Sequence, residues 1–171
     1  MARTSNRRQR AAAQSVPQEQ IAKVYETAIY VRLSREDNLN NSDSIENQTA
    51  LLESYIANRP YLRLVETFSD NGYTGTDFDR PEWQRLMDAV QQKKINCIVV
   101  KDLSRLGRNY IETGEFLEKI CPFFGIRFIA VNDNFDTDTV EANGQLSVSL
   151  SNIINDYYAK DISRKVSSAL R

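Results

Sequence analysis

Arg32 and Ser34 lie two residues apart at the end of an apolar run, in Tyr30-Val31-Arg32-Leu33-Ser34-Arg35. A second set, Ser104-Arg105-Leu106-Gly107-Arg108, follows another apolar run, and the chain contains no histidine. A serine without an imidazole lacks the base that ester- and peptide-cleaving serines ordinarily use. Among arginines it suits attack on a phosphate. Planar, permanently charged guanidiniums can hold the non-bridging oxygens and stabilise the charge that grows there. Ser34 is therefore the candidate nucleophile, with Arg32, Arg105 and Arg108 as candidate phosphate ligands. Arg80 follows a glycine-containing turn and is expected to close over the same point from a mobile loop. The residues leave two acceptors open for the serine proton: Asp102, or a neighbouring arginine acting as a relay.

Taken singly, each signal has a plainer meaning. A serine at a strand end commonly caps backbone groups, a lone arginine sits at the surface, and Gly107 serves a turn. Tyr30 is expected to pack, although a tyrosine can also form a phosphoester. Gly72-Tyr73-Thr74-Gly75 is a flexible loop first and a phosphate cradle second. The weight rests on the combination.

The elements needed to position these residues follow from the hydrophobic pattern. Residues 28–33 alternate as a strand, with Ile29, Val31 and Leu33 on one side and Arg32 on the polar side. A polar loop over 35–43 leads to Asp43 and Glu46, spaced as a capping box. The helix they open carries Gln48, Leu52, Tyr55 and Ile56 on one side and ends at Asn58 to Pro60. Residues 61–68 read as a strand and Asp70-Asn71-Gly72 as a turn. A helix after Asp79 has Pro81 in its first turn and a stripe of Trp83, Leu86, Met87 and Val90. Residues 95–100 are nearly continuous apolar sequence, as in a strand covered on both faces. A helix over 110–119, with Phe116 and Ile120 facing inwards, precedes a strand over 126–131. The alternation predicts an α/β domain in three layers, a mostly parallel central sheet with helices on both faces. In such sheets sites form at the carboxyl ends of strands. Neighbouring first and third strands would bring Ser34, Arg105 and Arg108 to one rim.

From residue 141 the pattern becomes helical almost to the last residue, through Leu146, Leu150, Ile153, Ile154, Tyr157, Ile162, Val166 and Leu170. A long C-terminal helix of this kind projects or joins subunits, with Ile153, Tyr157, Ile162 and Val166 as the candidate interface. It ends only because the chain ends, which reads as truncation. The expected organisation is a basic tail over 1–25, a core over 26–140 and this helix over 141–171. The tail is a solvated arm with, at most, a weak phosphate contact.

The 22 basic and 23 acidic residues give a net charge of -1, which argues against a dedicated nucleic-acid binder. The balance suits a catalytic module positioned by another part of a longer protein. Cys97 and Cys121 sit in apolar surroundings, as buried thiols do in a reducing compartment, and no cysteine-histidine cluster suggests a metal. No run is long enough to cross a membrane, and the N-terminus lacks the apolar core of a signal peptide. A cytoplasmic location is expected.

Tyr30-Val31-Arg32-Leu33-Ser34 followed by Ser44-Ile45-Glu46-Asn47-Gln48 resembles the opening of the serine recombinases. Asp79-Arg80-Pro81 and Val100-Lys101-Asp102-Leu103-Ser104-Arg105-Leu106-Gly107-Arg108 continue the resemblance in order, from about Ala28 to the end. With Asp77-Phe78-Asp79-Arg80-Pro81 and Asn132-Asp133-Asn134-Phe135-Asp136, the chain looks most like the large serine recombinases of mobile transposons. The resemblance implies a resolvase-like fold in which Ser34 attacks DNA, becomes linked to the 5′-phosphate and frees a 3′-hydroxyl. Arg32, Arg80, Arg105 and Arg108 would bind and activate the phosphate. Gln48 falls in a supporting position, flanked in role by Lys101, Asp102 and Ser104. Dimers and synaptic tetramers on specific double-stranded DNA sites are implied, with no metal or other cofactor, for excision or integration of a mobile element. Many small resolvases carry aspartate where this chain has Ser104, a subgroup difference. The family's separate DNA-recognition domains are not present, so weak or no activity is expected of these residues alone. Two competing readings are a non-catalytic assembly module and a small-molecule phosphatase.

Overall fold

A computed structural model describes residues 23–33, 44–71, 80–107, 109–142 and 146–169. The expected tail lies almost wholly outside them, as do Ser34, Arg108 and the Gly72 to Gly75 segment. Among the described residues five strands form one sheet: β1 (Tyr25–Leu33), β2 (Leu62–Asn71), β3 (Cys97–Val100), β4 (Arg127–Ala130) and β5 (Phe135–Asp136). Their spatial order is β2-β1-β3-β4-β5, parallel except for β5. The α/β reading is correct, and β1 and β3 are neighbours, as the shared rim requires.

The helices are α1 (Ile45–Ala57), α2 (Pro81–Gln91), α3 (Tyr110–Glu115), α4 (Cys121–Phe124), α5 (Thr137–Ala142) and α6 (Leu146–Ala169). They cover both faces because the central strands are apolar on both. Ile29, Val31, Cys97 and Val99 pack with Leu52 and Ile56 of α1. Ala28, Tyr30, Ile98 and Val100 pack on the other side with Trp83 and Leu86 of α2, Phe116 and Leu150. No polar side of β1 exists at Arg32, which is itself buried. Here the expectation fails because the strand is central and covered.

Several boundaries differ from the pattern for local reasons. The N-cap of α1 is Ser44, whose hydroxyl accepts from the Asn47 amide at 3.2 Å. A serine cap satisfies one of the amides that the first helical turn leaves open. Asp70 and Asn71 continue β2 instead of making a turn. The register of β1 and β2 shifts between Thr27 and Ala28, after which Arg32 lies opposite Asp70.

The helix after β3 does not end at residue 119. It runs from α3 through a π turn at Phe116–Ile120 into α4 and stops at Gly125 in the left-handed conformation (φ 66°). A π turn adds a residue to the helical repeat. The inward position after Phe116 thereby falls on Cys121, which is buried, and Ile120 turns outward. Of the expected helix from 141, α6 accounts for Leu146–Ala169 and the end of α5 for residues 141–142, with residues 143–145 outside the described residues. Beneath the sheet, Arg127 at the start of β4 binds Asp136 at 2.7 Å and approaches Asp138 at 3.6 Å, tying α5 to the strands.

Candidate active site

The carboxyl ends of β1 and β3 meet at a knot of buried side chains. Arg32 occupies the penultimate position of β1. Its Nη2 donates to the Ser104 carbonyl at 2.9 Å and its Nε to the Arg105 carbonyl at 3.3 Å. Arg105 sits on a 3₁₀ turn, Leu103–Arg105, just past β3. It reciprocates, its Nη1 donating to the Arg32 carbonyl at 2.8 Å. Gln48, buried on the inward side of α1, donates from Nε2 to that same carbonyl at 3.2 Å. Two long side chains, Arg105 and Gln48, therefore fix the backbone of β1 two residues before Ser34, and Arg32 itself ties β1 to the turn.

Arg80 enters from the opposite side. It is fully buried, and it occupies the N-cap position of α2 without capping it through its side chain. Its Nη1 donates to the Tyr30 hydroxyl at 3.1 Å, the Arg105 carbonyl at 3.2 Å and the Leu106 carbonyl at 3.0 Å. The expectation of an arginine closing from a mobile loop is corrected: Arg80 is locked inside the core. The reason is Asp70, which sequence reasoning missed. Its carboxylate accepts from the Glu82 and Trp83 amides at 3.2 and 3.1 Å, capping α2 from the end of β2. It also accepts from the Tyr30 hydroxyl at 3.0 Å. The only sequence signal was a carboxylate a short distance before Pro81, disguised by an Asp-Asn-Gly turn pattern.

Tyr30 is wholly buried with its ring against Trp83, centroids 5.0 Å apart. Burial pushes its phenol well above the usual range; Arg80 pulls the other way and Asp70 adds to the rise. It stays protonated and bridges Asp70 to Arg80.

Asp102 lies at the start of the 3₁₀ turn. It accepts from the Ser104 amide at 3.1 Å and from the Ser104 hydroxyl, and its Oδ1 stands 3.7 Å from Arg105 Nε. Asp133, from the connection after β4, accepts from the Leu103 amide at 2.7 Å. Lys101 is half-buried at the end of β3, its carbonyl accepting from the Asn132 amide at 2.8 Å. The structure thus brings Arg32, Arg80, Arg105, Gln48, Asp102 and Ser104 together. Ser34 and Arg108 fall outside the described residues. Guanidiniums have the chemistry to bind and polarise a phosphodiester; here Arg32, Arg80 and Arg105 gather at the strand ends buried, with donors on backbone carbonyls.

Of the expected interface residues on α6, Ile153 packs partly buried against the core, whereas Ile162 and Val166 are exposed. Tyr157 belongs to α6, but its side chain lies outside the description. No group of metal-ligating side chains occurs among the described residues, and no described helix is long and apolar enough to cross a membrane.

A family described as Resolvase, N terminal domain, matches residues 27–171. The chain is similar to the N-terminal catalytic domain of TP901-1 integrase at 28% identity and a TM-score of 0.63, covering 79% of this chain and 97% of that one. A resolvase family site-specific recombinase from Streptococcus pneumoniae shares the fold at 19% identity and a TM-score of 0.58, covering 86% and 99%. So does the C-terminal catalytic domain of ISC1926 TnpA, an IS607-like serine recombinase, at 23% identity and a TM-score of 0.53, covering 79% and 84%. No curated protein matches the chain.

Proposed function

The chain belongs to the resolvase N-terminal domain family, and from that premise we propose that it is the catalytic unit of a site-specific serine recombinase. Membership makes it an enzyme of DNA strand transfer. In the finer reading, Ser34 Oγ attacks a DNA phosphorus, forms a 5′-phosphoserine and expels the 3′-oxygen, which leaves as a hydroxyl. Rejoining reverses the step: a 3′-hydroxyl attacks the phosphoserine and Ser34 departs. The bond count is unchanged throughout, so no high-energy cofactor is needed.

The observation that carries this reading is the convergence of Arg32, Arg80 and Arg105, buried at the carboxyl ends of β1 and β3, beside the strand end that leads to Ser34. Arg108, four residues after Ser104, is assigned to the same phosphate. Gln48, Asp102 and Ser104 support the arginines, and Lys101 flanks them. The partners are double-stranded DNA and further copies of the chain, joined as dimers and synaptic tetramers through the outer face of α6. Excision or integration of a mobile element is the corresponding biological use.

The polarity of the cut tests the reaction. A nicked, end-labelled duplex drawn from the DNA flanking the reading frame is incubated with the protein in excess chelator. Protein retained on 5′ ends, with free 3′-hydroxyls that a polymerase extends, is expected. Protein on 3′ ends, or cleavage that requires a divalent cation, contradicts the reading.

A further inference from the structure

The geometry points to Asp133 as a positioning residue for the arginine cluster, acting through the turn that carries Arg105; this rests on the phosphate reading above. The turn has two ends with opposite partners. At its amide end, Leu103 N donates to Asp133 Oδ2 at 2.7 Å and Ser104 N to Asp102 Oδ1 at 3.1 Å. At its carbonyl end, the oxygens of Ser104, Arg105 and Leu106 receive Arg32 and Arg80 at 2.9 to 3.3 Å. Anions at the amide end and cations at the carbonyl end both follow the direction of the peptide dipoles.

The two aspartates differ in what they anchor. Asp102 is part of the turn's own segment and moves with it. Asp133 is 30 residues from Leu103, on the connection between β4 and β5, so its bond fixes the turn to a different part of the sheet. That connection is built to present it. Val131 N and Asn132 N continue the ladder to the Val100 and Lys101 carbonyls at 3.0 and 2.8 Å. Asn134 then reverses the chain in the left-handed region, φ 49°. Such a conformation is uncommon outside glycine and is most tolerated by asparagine and aspartate. The Leu103 amide therefore reports whether the carbonyls that hold Arg32 and Arg80, and the guanidinium of Arg105, are in place. Displacing the turn moves Arg105 and takes away the carbonyls that hold Arg32 and Arg80.

The test uses inorganic phosphate as the probe and the arginine Nε–H resonances of the ¹⁵N-labelled chain as the readout. Asp133→Asn keeps an oxygen acceptor for Leu103 N and is expected to bind phosphate within about threefold of the wild type. Asp133→Ala is expected to bind about tenfold more weakly and to exchange its Leu103 amide faster. Asp133→Glu keeps the charge but displaces the acceptor, so it is expected to resemble the alanine variant, which separates positioning from charge. It also preserves the test should the alanine variant fail to fold. Wild-type affinity in the glutamate variant, or equal weakening in the asparagine variant, overturns the inference alone. A wild-type chain that shows no phosphate-dependent shifts overturns the phosphate reading and this inference with it.

Discussion

Tyr30 illustrates how one side chain changes meaning with its surroundings. Next to a candidate nucleophile, a tyrosine could itself have attacked phosphorus, but its hydroxyl donates to Asp70 and receives Arg80. Tyr30→Phe leaves both groups short of a partner in the core. It is expected to lower stability by about 1–3 kcal/mol, read as a shift in the urea midpoint at constant slope. Burial raises the folded-state pKa of this phenol above its unfolded value. Its contribution is therefore complete below about pH 10 and is lost as pH rises beyond it, because the unfolded chain gives up the proton first. The wild type should lose stability across that alkaline range more steeply than Tyr30→Phe. Cys97 behaves in the same sense, its buried thiol pushed up to about 12. Arg32 and Arg105 were legible from spacing, because a serine and arginines at two strand ends have few joint explanations; Gln48 was legible as an inward helix residue, and its supporting role came from the resemblance. Asp70 was not. Its role depends on lying opposite Arg32 across two strands and on receiving the amides of α2, a coincidence of register that no local pattern encodes.

Periodicity revealed most elements because the sheet is covered on both faces and each helix has one buried side. Gln48, Leu52 and Ile56 of α1, and Trp83, Leu86 and Val90 of α2, are buried as their spacing required. The helix between β3 and β4 was harder. A pattern read at a fixed 3.6-residue repeat places Ile120 inward, and the π turn moves that place to Cys121. Its end at Gly125 gives a clean measurement at this scale. Among the described residues, nothing beyond its own chain neighbours and helix backbone lies within 4 Å of where a side chain would begin, so the backbone conformation is what opposes substitution. Gly125→Ala should cost about 1–2 kcal/mol in thermal or urea unfolding, and Gly125→Asn less. At the other kind of terminus, Ser44→Ala removes the acceptor for the Asn47 amide. It should cost about 1 kcal/mol by the same measurement.

At the scale of the whole molecule, α6 divides along its length. Leu150 and Ile153 pack on the core, and Tyr158, Ile162 and Val166 leave an exposed stripe of related spacing. Ile162→Asp with Val166→Asp is expected to weaken self-association in sedimentation while leaving the unfolding transition within about 0.5 kcal/mol. Both side chains are already more than half exposed within the chain, at 59% and 52%. The charge balance of -1 also belongs to this scale. With no basic excess, these residues supply chemistry more than affinity, so binding to non-specific DNA should be weak and strongly reduced by salt. The assembly-module reading shares all of these features except covalent attachment, which makes attachment the decisive observation. Protein trapped on nicked DNA from the flanks of its reading frame, without added metal, would be digested and its phosphopeptide mapped by mass spectrometry beside Ser34→Ala. A 5′-phosphate on Ser34 that disappears in the variant is the predicted result. An adduct on Tyr30 or any other residue, or undiminished adduct in Ser34→Ala, would contradict the account.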